Sequence, residues 1–314
     1  MLRYIAKRVL AVIPVLLGIS IITFLLMHFI PGDPVRVMLG KQAITEEVIE
    51  RVRHELRLDQ PLYLQYFSWL YYALQGNLGR SFQMNMPVLY LVADHFAVTL
   101  RLALFGLLVS MLIAMPLGIV SAVKKDSAID YVSRVISTLG ISLPPFFTGI
   151  VLILIFALYL RWFPSMGVST ELFSIDGLRT MVLPSFALGF SSATMVARMV
   201  RATMVEVLEQ DYIRTARSKG LKERVIIYRH ALKNAMIPVT TVIGMTLGYL
   251  LGGSVIIETI FAWPGLGMLM VNAVMKRDYP LIQGIVLFFA LMFTLTNLVI
   301  DLIYGFLDPR IRYR

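Results

Sequence analysis

The chain has no cysteine among its 314 residues, and only 15% of those residues are charged, against about 25% in a typical soluble domain. The lack of cysteine excludes disulfide frameworks, thiolate metal sites and thiol nucleophiles. The four histidines show no spacing that puts two of them on one helix face, so no metal site is predicted. Neither a GxxxxGK[ST] loop nor a GxGxxG motif is present. The chain is therefore predicted to carry no catalytic residue and to bind no nucleotide or other cofactor itself.

What the chain has in excess is apolar side chains, which make up 58% of its residues against about 45–50% in soluble proteins. A soluble enzyme of this size has no interior large enough to bury them. The formal net charge is +10, but on so apolar a chain this charge indicates contact with membrane lipid rather than nucleic acid. The composition therefore predicts an integral membrane protein.

Long apolar runs give the number of membrane crossings, because a helix needs about 20 residues to span a hydrocarbon core of ~30 Å. Six runs qualify, over residues 9–30, 98–123, 132–160, 181–200, 235–257 and 281–307. The fourth is the weakest, since it contains a proline and several serines. The runs are continuous rather than alternating, which excludes barrel strands. We predict an all-α, polytopic membrane protein with six transmembrane helices.

Lysine and arginine are concentrated on one side of these spans, so the positive-inside rule predicts that both termini are cytoplasmic. The first run is too long for a cleaved signal and is predicted to be an N-terminal span over 1–30. An extracytoplasmic segment follows over 31–97, and a five-span core over 98–314. Residues 46–72 predict a pair of short helices in the outer segment, which either lie on the membrane surface or receive a partner.

Small and polar residues inside the spans are candidates for packing or for a pathway. Gly244, Gly248 and Gly252 recur every four residues, with Gly253 beside the last. Glycines at this spacing allow two helices to approach closely in lipid, either within one subunit or at a subunit interface or pathway wall. Asp301 in the last span is either a structural ion-pair or hydrogen-bond partner, or a gating residue. Nothing indicates the midplane ion sites or internal repeat of a stand-alone secondary carrier.

The longest basic connection, at about 198–234, predicts a helix, a glycine and a second helix. Apolar residues between Val205 and Ala216 follow one helical stripe, and Gly220 suits the left-handed position that ends a helix. A short helix held between two spans can transmit a push from a partner to both spans. On physical grounds alone, a basic loop lying on anionic lipid is the equal alternative.

This loop closely resembles the conserved cytoplasmic loop of bacterial ABC importer permeases, specifically those of the dipeptide/oligopeptide/nickel transport family. The resembling segments run from the first to the last span: 31–34 (PGDP), 58–62 (LDQPL), 140–144 (GISLP), 211–220 (DYIRTARSKG), 230–238 (HALKNAMIP), 261–267 (FAWPGLG), 277–280 (RDYP) and 308–312 (DPRIR). They cover essentially the whole chain. The resemblance implies the fold of a type I ABC importer permease.

In that family the loop forms a coupling helix seated in a groove of a cytoplasmic ATPase. The residues that the resemblance assigns to ATPase coupling are Asp211, Tyr212, Arg214, Thr215, Ala216, Lys219 and Gly220. The general importer pattern begins with glutamate, and this chain has Arg214 at that position.

The resemblance further implies a multi-pass protein of the bacterial inner membrane that works with several partners. These are a second homologous permease, two cytoplasmic ATPase subunits that bind ATP and magnesium, and an extracytoplasmic substrate-binding protein. Peptide is the first expectation for the substrate on family frequency, with glutathione and chelated nickel as alternatives.

Overall fold

The computed structural model describes residues 2–29, 45–55, 59–167 and 174–307, and these form helices with no β-strand. The predicted all-α class is confirmed. We number the helices as follows: α1 (Leu2–Phe29), α2 (Glu46–Glu55), α3 (Leu62–Leu74), α4 (Val88–Val123), α5 (Ala128–Ser142), α6 (Pro145–Leu152, continued by π-helical turns over Ile153–Tyr159), α7 (Ile175–Leu208), α8 (Asp211–Ser218), α9 (Glu223–Ile260), α10 (Leu266–Met275) and α11 (Tyr279–Leu307). The motifs at 31–34 and 308–312 lie outside the described residues.

Five of these helices, α1, α4, α7, α9 and α11, are long and apolar enough to cross a membrane. The predicted third span over 132–160 is wrong as a continuous helix, because α5 and α6 meet at an angle of 100°. Two consecutive prolines, Pro144 and Pro145, cause the break. Neither has an N–H to donate, and Leu143 before them is extended with ψ 120°, as a residue that precedes proline prefers. Counted as one broken span, the pair brings the total to six.

The centre of the bundle is the crossing of α4 and α7, where glycines bring the two backbones together. A Cβ at Gly189 of α7 would collide with the carbonyl of Gly106 on α4. About three turns further along α4, a Cβ at Gly118 would lie 2.7 Å from both the Ala197 carbonyl and Cβ of Val200. Helices that associate in lipid depend on such close packing, since no hydrophobic force drives them together. The α4–α7 pair is therefore the rigid core of the fold.

Helix α7, predicted over 181–200 as the weakest span, extends from Ile175 to Leu208 and buries much of its surface. Ser174 caps its first turn by accepting a 2.9 Å hydrogen bond from the Gly177 N–H. Serines and a proline lower the hydropathy of this segment. The helix tolerates them because most of its surface faces protein rather than lipid. Helix α4 starts at Val88, well before the predicted residue 98.

At the end of the bundle away from α8, a buried carboxylate holds a short helix that the sequence did not predict. Glu258 near the end of α9 is fully buried. It accepts hydrogen bonds from the backbone N–H groups of Gly267 (2.7 Å) and Met268 (3.1 Å) in the first turn of α10. A Cβ at Gly265 would lie 2.5 Å from the Glu258 carboxylate. The glycines of the 261–267 motif thus make room for this carboxylate.

The segment between α1 and α4 contains the predicted pair of short helices. Helix α3 packs on α1, where Tyr66 and Ser20 hydroxyls share a 2.8 Å hydrogen bond and Phe24 meets the Tyr66 ring edge-on at 5.5 Å. The chain then reaches α4 through a loop that Asp278 fixes. Its carboxylate, almost completely buried, accepts from the Ser81 hydroxyl (2.5 Å) and the Gln83 N–H (3.2 Å).

Candidate functional site

Helix α8 lies between two long helices, α7 and α9, and is separated from each by a short break. Helix α7 ends at Leu208, and Gln210 is extended (φ −71°, ψ 149°), so α8 begins afresh at Asp211. The predicted stripe between Val205 and Ala216 is therefore divided between two helices. Gly220 ends the unit with φ +76°, in the left-handed region that glycine occupies without strain. The Leu221 N–H bonds the Ala216 carbonyl at 3.3 Å, which closes the turn in the Schellman manner.

One face of α8 is anchored in the core of the bundle. Ile213 is fully buried and Ala216 is 9% exposed, and both belong to a cluster with Met204 of α7 and with Ile226 and Ala231 of α9. This cluster continues along α4 and α7 toward their glycine crossing. Complete burial of an isoleucine side chain such as Ile213 stabilises the fold by roughly 1.5–3 kcal/mol. The helix is thus fixed to the two helices on either side of it and does not lie loosely on the surface.

The opposite face of α8 is polar and exposed. The side chains of Asp211 and Arg214 are 94% and 73% exposed and lie 3.4 Å apart on successive turns. Tyr212 is 44% exposed and its hydroxyl accepts a 2.8 Å hydrogen bond from the Asn234 amide of α9. Thr215 and Lys219 are also exposed. Every residue assigned to ATPase coupling therefore lies on or directly after α8, and all but Ala216 are exposed.

An ion pair bridges the turn that follows α8. Arg217 Nε lies 2.7 Å from Oε1 of Glu223, the first residue of α9. It holds the two sides of the Gly220 turn together. Because both side chains are about half exposed, this pair adds little to stability and instead favours one geometry of the turn.

Two further ion pairs join the end of α7 to the α4–α5 turn. Arg201, about two turns before the end of α7, contacts Asp130 of α5 through Nε and Nη2, each at 2.7 Å. Asp130 is fully buried, and the Ser121 hydroxyl of α4 donates to it at 2.5 Å. Nearer to α8, Lys125 Nζ lies 2.8 Å from Glu209 Oε1.

The hydrogen bond between Lys125 and Glu209 raises the pKa of the lysine and lowers the pKa of the glutamate. Each shift favours the charged form, so the pair stays ionised around neutral pH. Together with the Asp130–Arg201 pair it connects α4, α5 and α7 at the end of the bundle that carries α8. These two pairs tie the three membrane helices together close to α8.

The remaining predicted site residues lie on α9 and α11, away from α8. A Cβ at Gly244 would collide with Ile300 of α11, whereas Gly252 has open space around it. Gly248 faces Phe293 at ordinary contact distance. The glycines of α9 therefore pack within the subunit at the Gly244 end and are uncovered at the Gly252 end. A Cβ at Gly253 would meet, among the described residues, the Tyr249 ring of its own helix.

Asp301 pairs with Arg8 of α1 across 2.7 Å. This contact ties the first helix to the last.

Asp130 and Arg201 were not predicted as partners. The available signal was an aspartate immediately before one apolar run and an arginine immediately after another, at the same predicted membrane face. Within the described ranges, no group of three or more His, Cys, Asp or Glu side chains can hold a metal ion.

Comparison with known families identifies this bundle. The model of the binding-protein-dependent transport system inner membrane component matches residues 114–313, and the model of the N-terminal part of such components matches residues 1–103. The chain belongs to this family and is a permease subunit of an ABC importer, a multi-pass protein of the inner membrane. It is similar to the glutathione transport system permease protein GsiC of Escherichia coli K12, with 43% identity over the full length of both chains. The Salmonella choleraesuis GsiC is 42% identical, again over both full lengths.

Solved structures share the fold. The MetNI methionine ABC transporter, crystallised in inward facing conformations, aligns with a TM-score of 0.60 at 18% identity, covering 70% of this chain and 97% of that one. An amino acid ABC transporter solved with histidines aligns with a TM-score of 0.51 at 18% identity, covering 68% of this chain and 92% of that one. The predicted family and the type of fold are confirmed.

Proposed function

We propose that this permease pairs with a second, homologous permease to form the pathway, and that two cytoplasmic ATPase subunits binding ATP and magnesium drive it. An extracytoplasmic binding protein delivers the substrate, which the family's description as binding-protein-dependent supports. Both termini and α8 face the cytoplasm in this arrangement. The concentration of lysine and arginine at that end supports this orientation.

The observation that carries the proposal is the division of α8 into a buried and an exposed face. Ile213 is inaccessible, while Asp211 and Arg214 on the other side are almost fully accessible. A partner can grip the exposed face, and the buried face passes its movement to α7 and α9. Chemistry then takes place in the ATPase subunits, and this chain converts their closure into access from one side of the membrane to the other.

The path of that movement follows from the contacts at the α8 end. A shift of α8 moves the end of α7, and Arg201 and Glu209 carry the α4–α5 turn with it. The glycine crossing of α4 and α7 keeps these two helices in a fixed relation, so they move as one body. Opening then occurs where α5 and α6 bend, or where α9 and α11 are less closely packed.

We further propose glutathione as the substrate. The sequence led us to expect a peptide substrate, and the relatives are named for glutathione transport. Glutathione is a tripeptide, so the two substrates belong to the same chemical class. Identity of 43% over the entire length of a glutathione permease supports the narrower choice.

Uptake by the assembled transporter tests the substrate. Proteoliposomes that enclose ATP and carry both permeases and both ATPases are mixed outside with the binding protein and labelled glutathione, a dipeptide or nickel. Glutathione uptake that requires ATP and the binding protein is expected. Uptake of nickel alone, or of dipeptide in strong preference to glutathione, would contradict this choice of substrate.

The coupling role is tested with Arg214→Glu, which reverses an exposed charge without disturbing the core. We expect uptake to fall at least tenfold while ATP hydrolysis continues or the ATPase subunits dissociate. Arg179→Glu reverses another exposed charge, at the other end of α7; it is the matched control and should retain uptake. Normal uptake by Arg214→Glu would argue against α8 as the ATPase contact.

A further inference from the structure

The outward face of α5 forms a groove that the transport mechanism does not use. Ser133, Ser137 and Gly140 point into the bundle and are buried, while the other side of the helix is exposed and almost entirely apolar. The groove has a volume of about 280 Å³ and is lined by Tyr131, Arg134, Val135, Thr138 and Leu139. Arg134 is the only charged residue among these five. The Thr138 hydroxyl donates to the Arg134 carbonyl of its own helix.

The groove has a defined direction relative to the bundle. Helix α5 runs antiparallel along α7, because Asp130 meets Arg201 and a Cβ at Gly140 would collide with Thr194. Arg134 therefore lies near the basic end of the bundle that carries α8. Leu139 lies toward the middle of the bundle. In the orientation proposed above, on which this inference rests, the groove leads from the cytoplasmic membrane surface into the bilayer.

The guanidinium of Arg134 is held in place but shares its carboxylate partner with Arg201. Its carbon lies 4.4 Å from the centre of the Tyr131 ring, a stacking distance. Its Nη2 is 3.2 Å from Asp130 Oδ2, yet both oxygens of that carboxylate already accept from Arg201. Within the described part of the chain, Nε and Nη2 of Arg134 are buried and make no well-formed hydrogen bond, while the side chain as a whole is 42% exposed and lines the groove. One carboxylate thus faces two guanidinium groups, and one positive charge is in excess.

We propose that this groove binds an anionic phospholipid, with its phosphate on Arg134 and an acyl chain along Val135 and Leu139. A phosphate at the exposed part of the guanidinium supplies the negative charge that the shared carboxylate does not. An apolar face of another protein would leave the excess charge without a counterion, which is costly. Bound lipid neutralises it and covers the exposed apolar side of α5 next to the Asp130–Arg201 pair.

Native mass spectrometry of the assembled transporter tests the site. The delipidated complex is titrated with phosphatidylglycerol, and in parallel with phosphatidylcholine and inorganic phosphate. We expect one phosphatidylglycerol bound in preference to phosphatidylcholine. Arg134→Gln should weaken it by about tenfold, because it removes the positive charge that holds the phosphate. Leu139→Trp, at an exposed position, should weaken it by filling the groove.

Lys124→Gln is the matched control, since it removes one positive charge at the same end of the bundle but outside the groove. Binding within about twofold of the unchanged protein is expected for this variant. Equal losses for Lys124→Gln and Arg134→Gln would reduce the effect to general surface charge and overturn the proposal. Full displacement of the lipid by inorganic phosphate would overturn it in favour of a simple anion site.

The absence of any preferred lipid in the complex, with Arg134→Gln weakening assembly of the two permeases, would show that the groove is a subunit contact. That result also overturns the proposal. ATP-dependent uptake by the same preparations reports separately on the proposed function. A transporter that couples normally but binds no lipid contradicts only the lipid site.

Discussion

Thr99 of α4 donates a 2.7 Å hydrogen bond to Glu258 of α9, and both side chains are fully buried. Thr99 also accepts from the Leu266 N–H at 2.7 Å, so its hydroxyl and the Glu258 carboxylate together satisfy the first three N–H groups of α10. A carboxylate at the positive end of a helix is stabilised there. Helix α4 is thus held at one point to α9 and α10, which lie far from it in sequence.

Removing Glu258 should destabilise the subunit strongly. Glu258→Ala leaves a buried hydroxyl and two backbone N–H groups without their acceptor, and we expect a loss of about 3 kcal/mol in the free energy of unfolding. Thermal unfolding of the purified protein in detergent measures it. Glu206→Ala, which removes an exposed carboxylate from α7, should leave the melting temperature nearly unchanged. Similar melting temperatures for the two variants would refute the anchoring role.

Gly189 and Gly252 both lie in long helices, but they should differ sharply in how well they tolerate substitution by alanine. Gly189→Ala places a methyl group against the Gly106 backbone, and we expect a cost of about 2 kcal/mol or more. Gly252→Ala enters open space and should fold normally, which fluorescence-detected size exclusion can follow. If Gly252→Leu folds but loses uptake, the open end of the stripe contacts another subunit or the pathway. A tolerated Gly189→Ala would disprove the close crossing.

The Asp130–Arg201 pair should be costly to break from one side. Asp130→Asn leaves Arg201 without its buried counterion, and Arg201→Gln leaves Asp130 with Arg134 alone. We expect each to lower the unfolding free energy by roughly 2–3 kcal/mol. A double-mutant cycle checks this, because contacting residues give a double variant less damaged than the sum of the singles. Strict additivity would show that the pair does not act as a unit.

The chain's lack of cysteine makes its orientation directly measurable. Ser218→Cys at the end of α8 and Met84→Cys before α4 introduce one exposed thiol each. We expect a membrane-impermeant maleimide to label Met84→Cys in intact spheroplasts, and Ser218→Cys only after lysis. The reverse pattern would invert the proposed topology. The unsubstituted protein is the blank.

Span positions were predictable because an apolar run of sufficient length has few alternatives in lipid. The bend between α5 and α6 was not, since Leu143-Pro144-Pro145 indicates a kink but the 100° angle depends on how each half packs on α7. Glu258 directly follows the apolar run over 235–257, which marks it as a charge at a helix end. Its partners Gly267 and Met268 became visible only once α10 had folded back over it, because contacts between separate elements leave no periodic signal.

The site shows the same division. Gly220 as a helix stop and the exposed face of α8 follow from local patterns. The break at Gln210 does not, because no glycine or proline marks it. The alignment of Arg201 with Asp130 also required the antiparallel packing of α5 on α7. Asp130 and Arg201 stand at the ends of two different apolar runs. Their separation in sequence does not determine their distance in space, so the contact between them could not be predicted from spacing.

The two-sided character of α8 bears on how transporters of this kind can be re-engineered. Its inward contacts, through Ile213 and Ala216, involve only this subunit, whereas Asp211, Arg214 and Lys219 point away from it. The outward set can be exchanged as a block for that of another permease without rebuilding the interior. On the coupling role proposed for α8, a chimaera of this sort would work with the ATPase subunits of another transporter while keeping its own substrate.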